Sequence, residues 1–393
     1  MSRLEVLADV AAVFNGKTPS VAEQRDKGHP VLKIKDVDEV GCFRGAFESF
    51  VDQSLAESFR HKWIQPGDTL ILNAAHNSNY VGSKTYFAAE AVSGVLPTGE
   101  WLVVRGNSDI TSKRYIHHWL TSARTRSQIR DRVKGIHLYA KDVAELPISL
   151  PPLKQQERIA AILDRADAIR RKRREALKLA DDFLRSAFLD LFGDPVANPK
   201  RWPKDKFGNL GTLDRGKSRH RPRDEPALYG GPHPFIQTGD VANCDGIVRR
   251  YTQTYSDLGL SQSRKWPAGT LAITIAANIG KTGILGFDAC FPDSVVGFTA
   301  SPPISAEFIQ FWLGQIQNRL EETAPQSAQK NINLDILRDL PVPVPPEGLL
   351  NRFTSLVLHT RESKLRQDAM LREADLLFGS IQQGAFHGEL TAT

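Results

Sequence analysis

The clearest pattern along the chain is a stripe of apolar residues at helical spacing. From Ile159 it runs through Ile162, Ala166, Ile169, Ala176, Ala180, Phe183 and Ala187 in steps of three and four, interrupted at Arg173. Leu163, Leu177, Leu184, Phe188 and Leu191 widen it. Pro151-Pro152 stand before the stripe and Gly193, then Asp194-Pro195, stand after it, which is the start and stop chemistry of a helix. A second stripe runs from residue 349 to about residue 384. Phe353, Leu356, Val357, Met370, Leu371, Ala374, Leu377, Phe378 and Ile381 line it, with a more polar middle at Thr360, Ser363 and Gln367. Two helices of about 35 residues, roughly 50 Å long, each with one apolar face, need partners. Packing on each other as an antiparallel pair satisfies both faces.

The rest of the chain is written twice. GKTPS at 16–20 matches GKSRH at 216–220, and HPVLKIKDV at 29–37 matches HPFIQTGDV at 233–241. QPGDTLIL at 65–72 matches WPAGTLAI at 266–273, RYIHHWL at 114–120 matches EFIQFWL at 307–313, and ELPISLPP at 145–152 matches DLPVPVPP at 339–346. The blocks keep their order at a period far longer than that of a solenoid, which marks duplicated domains. Within each copy, Leu70-Ile71-Leu72 and the run 271–275 read as short strands closed by turn residues. Helices are predicted over 114–130 and 305–322. The fold class is therefore α+β: two duplicated mixed α/β domains separated by two long antiparallel coiled-coil helices, with a pseudo-twofold axis. The predicted division is a first domain at 1–150, a central helix at 151–193, a linker and second domain at 194–346, and a C-terminal helix at 347–393. The linker DPVANPKRWPKDKF has no apolar period and is expected to be ordered by docking of Trp202.

Composition bounds the partners. The 393 residues are 41% hydrophobic and 24% charged, ordinary for a globular protein, and the net charge of +6 suits a polyanionic partner without proving one. Cys42, Cys244 and Cys290 are far apart and form no CxxC, which excludes a disulfide framework or a four-thiolate zinc site and points to reduced thiols in a cytoplasm. No run approaches 18 apolar residues, so no membrane partner is expected, and Glu5 and Asp9 interrupt the only apolar stretch at the start.

Catalytic signatures are missing. GKT at 16–18 and GKTG at 280–283 lack the upstream glycine of a nucleotide-binding loop. There is no GxGxxG after a strand, no HExxH and no GxSxG. Asn77-Ser78-Asn79-Tyr80 shares the ends of the Asn-Pro-Pro-Tyr loop of amino-methyltransferases but lacks both prolines. No catalytic residue and no metal ligand is predicted.

Residues 146–203, LPISLPPLKQQERIAAILDRADAIRRKRREALKLADDFLRSAFLDLFGDPVANPKRWP, resemble the central region of Type I restriction-modification specificity subunits. LPVPVPP and AFHGEL at 385–390 resemble the distal copy, and residues 216–242 resemble a target-recognition domain of that family. In the second copy, residues 347–351 depart from the pattern set by residues 153–157. The resemblance implies a non-catalytic subunit that binds a bipartite, asymmetric site on double-stranded DNA, one half per domain. It implies two methyltransferase subunits as partners and optionally two restriction subunits. S-adenosylmethionine and ATP with magnesium would sit on those partners, and no cofactor on this chain. A stand-alone nucleic-acid-binding scaffold without a methyltransferase is the alternative, and a DNA-modifying enzyme a third reading.

Residues 215–223, RGKSRHRPR, are the strongest candidate DNA contacts: Arg215, Lys217, Ser218, Arg219, His220, Arg221 and Arg223. Arginine and lysine hold phosphates, and arginine also pairs with guanine. Gln237 and Thr238 are candidate base readers. The matching positions of the first copy offer Lys17, Thr18 and Ser20, then Lys33 and Lys35. Turns rich in glycine and asparagine add Asn77, Asn79, Tyr80 and Lys84 in one copy and Asn278, Lys281 and Thr282 in the other. Ser327, Gln329 and Lys330 complete the set. The basic run at 170–174 lies on a packed helix and is read as a solvated face. Leu184, Phe188 and Leu191 are expected to meet a protein partner.

Overall fold

The structure, a computed structural model, describes residues 3–276, 278–323 and 332–387. The chain forms two compact units, Met1–Arg174 with Ala369–Thr393, and Glu175–Asp368. The long helices are thus divided between the units, where the sequence reading had set them apart as segments of their own.

Unit 1 contains β1 (Ala11–Asn15), β2 (Gln24–Arg25), β3 (His29–Leu32), β4 (Phe50–Val51), β5 (Thr69–Leu72), β6 (Thr85–Phe87), β7 (Leu96–Pro97), β8 (Trp101–Gly106), α1 (Lys113–Leu120) and the first part of α2 (Leu153–Phe192). The strands form two sheets, in the orders β1-β8-β5-β6 and β2-β4-β3-β7. Side chains alternate across β8: Leu102 and Val104 enter one core with α1 and α2, while Trp101 and Val103 enter a second core with Leu32 and Tyr86. Burial on both faces is why β5 and β8 read as apolar runs rather than as alternation. The helix predicted over 114–130 is broken. The Ser122 hydroxyl accepts from the Thr125 amide at 3.3 Å and caps a new helix, Ala123–Asp131.

Unit 2 repeats this plan with β9 (Gly211–Arg215), β10 (Tyr229–Phe235), β11 (Ile247–Val248), β12 (Gln253–Tyr255), β13 (Lys265–Trp266), β14 (Leu271–Thr274), β15 (Thr282–Leu285), β16 (Ala289–Cys290), β17 (Val295–Ala300), α3 (Ala306–Thr323) and α4 (Glu347–His387), whose last part belongs to unit 1. The sheet orders are β9-β17-β14-β15-β11 and β12-β10-β16-β13. Each Leu-Pro block is a strand that closes its own unit. Pro147–Leu150 pairs antiparallel with Arg3–Val6, and Pro341–Pro343 with Lys204–Lys206.

The long helices pack antiparallel in each unit. In unit 1, Ile159, Ala160 and Leu163 of α2 share a core with Ala385 of α4. In unit 2, Leu184, Phe188 and Phe192 meet Leu350, Phe353 and Val357. The inward face of α2 differs from the predicted stripe by one position. Leu163, Arg170, Leu177 and Leu184 point inward, while Ile169 and Phe183 are each 51% exposed. The reason is that arginines occupy the seam. The Arg170 guanidinium stacks on Phe378 at 4.1 Å and pairs with Asp375, and Arg174 also reaches Asp375 at 2.8 Å. The basic run is therefore partly a packing element rather than a solvated face, with aliphatic stems covered and charged heads paired.

The same offset corrects the predicted partner face. Phe188 is 1% exposed and Leu184 3%, both inside the core of unit 2. Phe188 meets Phe353 at 5.5 Å and Phe308 at 5.8 Å between ring centroids. Leu191 is half-buried against the same core. Gly193 ends α2 at φ +77°, a conformation that excludes most side chains, and its amide donates to the Leu189 carbonyl at 2.8 Å. Trp202 docks as expected, its indole donating to the Phe192 carbonyl at 3.1 Å.

Candidate nucleic-acid interface

The Gly-Lys turns do the same work in both units. The Gly16 amide donates to Trp101 and the Gly216 amide to Val295, at 3.0 and 2.9 Å. A Cβ on Gly16 would lie 2.2 Å from the Pro97 carbonyl oxygen, and one on Gly216 2.3 Å from that of Phe291. Only glycine lets the backbone turn this close to a neighbouring strand.

In unit 2 the basic loop after Gly216 lies against β12. The amides of Arg219 and His220 share the Gln262 side-chain oxygen, and the Ser263 hydroxyl donates to the Lys217 carbonyl at 2.8 Å. The side chains of Ser218 and Gln262 face the Tyr255 hydroxyl, and burial pushes that phenol above its ordinary range, so it stays protonated. Arg221 is turned back on the Ser218 and His220 carbonyls, and Arg223 is paired with Asp293 at 2.8 Å. Arg215, Lys217 and Arg219 are exposed, and none has an ion pair among the described residues.

Gln237 lies at the other end of the same small sheet. Its amide donates to the Asp240 carboxylate at 2.8 Å, and its side chain donates to Gln253, the first residue of β12. Thr238, half-buried, follows it. Asn278 and Lys281 belong instead to the turn between β14 and β15, and Thr282 begins β15, in the other sheet. There Lys281 lies 3.4 Å from Gln317 of α3, and the Asn278 carbonyl accepts from Thr274. The structure does not bring this group to β12. Ser327, Gln329 and Lys330 lie outside the described residues.

In unit 1, Lys33 takes the place of Gln237, its amide donating to Asp36 at 2.7 Å. Lys35 is exposed and paired with Glu48, whose hydrogen bond raises the lysine pKa. Lys17 lies over the Phe59 ring at 5.3 Å, the Thr18 hydroxyl accepts from the Gly99 amide at 3.0 Å, and Ser20 is held by Glu23. Asn77 accepts from the Asn79 amide at 3.0 Å in a turn that leaves Tyr80 63% exposed. Lys84 is a correction. Its side chain is 9% exposed, and its ammonium bonds to the Val37 carbonyl at 2.8 Å, the Ile34 carbonyl at 3.4 Å and Glu39 at 3.2 Å. It clamps a loop and has no free face for DNA.

Sequence reasoning passed over Arg249, Arg250 and Gln253. All three are exposed, the arginines on the connection into β12 and Gln253 as its first residue, and neither arginine has an ion pair among the described residues. The adjacent arginines before Tyr251 were the available signal. No group of His, Cys, Asp or Glu among the described residues is arranged to hold a metal, and no described helix is long and apolar enough to cross a membrane.

Comparison with known proteins is consistent with this geometry. The family model for the Type I restriction modification DNA specificity domain matches residues 5–179 and again 199–348. The chain is 22% identical to the EcoBI Type I restriction enzyme specificity subunit of Escherichia coli, over 99% of this chain and 85% of that one. Its fold is similar to the Type I restriction-modification S subunit from M. genitalium, with TM-score 0.61 and 12% identity over 98% of this chain and 96% of that one. A chain in a solved structure of a type I R-M system gives TM-score 0.56 and 18% identity, over 98% of this chain and 97% of that one. With both copies of the repeat matched by one family model, the chain belongs to the Type I restriction-modification DNA specificity family.

Proposed function

We propose that the two units read the two halves of a bipartite, asymmetric site on double-stranded DNA. The chain is the non-catalytic specificity component; on this reading it also serves as the platform for two methyltransferase subunits, which two restriction subunits can join. The methyltransferases would carry S-adenosylmethionine, and the restriction subunits ATP and magnesium. One observation carries the reading. The same backbone device, an amide held by a carboxylate three residues on, presents Lys33 in unit 1 and Gln237 in unit 2. One scaffold that offers different side chains at equivalent places suits two different half-sites.

Protein partners would use helix residues that the chain leaves uncovered: Ile162 and Ile169 in unit 1, Leu179 and Phe183 in unit 2. The test is methylome sequencing of cells carrying the methyltransferase with either the native chain or Lys217→Ala/Arg219→Ala. Relaxed recognition or weaker methylation confined to one half of a split site is expected. An unsplit site, or equal effects on both halves, would overturn the reading.

A further inference from the structure

The proposed DNA surface of unit 2 contains an arrangement that names a base. We infer that Gln253, linked to Gln237, reads an adenine in the half-site of unit 2, with Arg249 and Arg250 holding phosphates beside it. This rests on the proposed DNA-reading role of the unit and adds the reader and the base.

The argument begins at the edge of a sheet. β12 is the outer strand of β12-β10-β16-β13, so no strand among the described residues covers its free side. Gln253 stands opposite Phe235, the last residue of β10, in the register, and Gln237 lies two residues beyond that strand. The Gln237 Nε2 donates to the Gln253 Oε1, and both residues are exposed. That bond sets the sense of both amides. The Gln237 carbonyl oxygen takes the Asp240 amide in a capping box and keeps a second lone pair, and the Gln253 NH2 group has no hydrogen-bond acceptor among the described residues. One acceptor beside one donor complements the major-groove edge of adenine, which offers the N6 amino group and the N7 acceptor. Guanine presents two acceptors there and would leave the Gln237 oxygen facing another oxygen. Because the amides are already joined, less freedom is lost on contact than with two independent side chains.

Cationic groups stand at both ends of the strand. Arg249 and Arg250 precede Gln253 on a connection pinned by the Tyr251 ring against Phe287, at 5.2 Å. At the far end Tyr255 meets the loop of Lys217 and Arg219. Two residues of strand separate the ends, roughly 7 Å. A polar reader flanked by free cations is the layout a groove with phosphates on either side requires.

The experiment uses the complex of this chain with its methyltransferase subunits. Methylomes are compared for the native chain, Gln253→Ala, Gln253→Thr and Gln237→Lys, and DNA affinity is measured against salt for Arg249→Ala and Arg250→Ala. The Gln253 variants should lose discrimination roughly 5- to 150-fold at a single adenine of one half-site. Gln237→Lys should shift that position toward guanine. Each arginine variant should weaken binding to all sequences and reduce the salt slope by about 0.9. Unchanged stringency in both Gln253 variants, or relaxation at a base other than adenine, overturns the inference. If at the same time Lys217→Ala/Arg219→Ala still affects one half-site only, the DNA-reading role of unit 2 stands and the amide pair alone is rejected.

Discussion

Arg170 Nε donates to the Asp375 carboxylate over 2.6 Å, across the two long helices, at the point where the apolar seam gives way to charge. Burial alone would raise the Asp375 pKa, but Arg170 and Arg174 outweigh it and hold the carboxyl below its ordinary range. A depressed folded-state pKa gives stability that is present above the unfolded value and lost as pH falls through the folded one. Asp375→Ala should therefore lower the melting temperature of unit 1 by roughly 2–4 °C at neutral pH, about 1 kcal/mol for a pair still partly open to solvent. The difference from the native chain should begin to shrink as pH falls below the ordinary aspartate value of about 3.9, and go on shrinking toward the lower value at which the folded carboxylate takes its proton. Thermal melts at pH 7 and pH 3.5 measure it.

His117 gives unit 1 a second pH dependence, of opposite origin. Burial first, then the neighbouring His118 and arginines, push its pKa down to about 3. The unfolded chain binds this proton below about pH 6.5 while the folded one does not, so stability falls as pH drops from 6.5 toward 3. At pH 5 the loss from this residue is expected to approach 2 kcal/mol. His117→Gln should flatten the melting temperature between pH 7 and pH 5. An unchanged slope would mean the ring does not stay neutral in the fold.

Phe188 and Phe183 lie five residues apart on α2, on different faces, and should behave oppositely. Phe188→Ala leaves a cavity among Phe353, Phe308 and Phe192, and should destabilise unit 2 by about 3–5 kcal/mol. Phe183→Asp should leave the stability of unit 2 within about 0.5 kcal/mol of native, since the side chain is exposed. The same variant should reduce copurification of the methyltransferase. Full assembly by a folded Phe183→Asp chain would remove this residue from the docking surface.

Lys84 separates a basic residue that binds DNA from one that binds its own chain. Lys84→Ala should leave the salt slope of DNA binding unchanged, because no phosphate contact is lost. It should instead destabilise unit 1 by about 1–3 kcal/mol, leaving the Ile34 and Val37 carbonyls without their donor. Salt titrations and melts on one preparation decide between the roles.

Much of the fold was legible because the repeated backbone devices leave marks in the sequence. Gly16 and Gly216 sit where a Cβ has no room, and Asp36 and Asp240 sit where an amide needs a carboxylate, so both recur at matched places. The helix stripe was misread by one position because hydropathy rejects arginine from a seam, and the pairing of Arg170 with a residue 205 positions away is invisible locally. The candidate site was less legible for the same reason. The exposure of Gln253 depends on β12 being an edge strand, and the burial of Lys84 on carbonyls 47 and 50 residues distant.

The strand pairs that close the units have a consequence for inheritance. Arg3–Val6 lies against Pro147–Leu150, and Lys204–Lys206 against Pro341–Pro343, so each unit has its entrance and exit hydrogen-bonded side by side. Everything between those two strands can lengthen, shorten or be exchanged by recombination while the doorway keeps its width. One unit's interior can then change in a single exchange while the strand pair that closes the other unit is untouched.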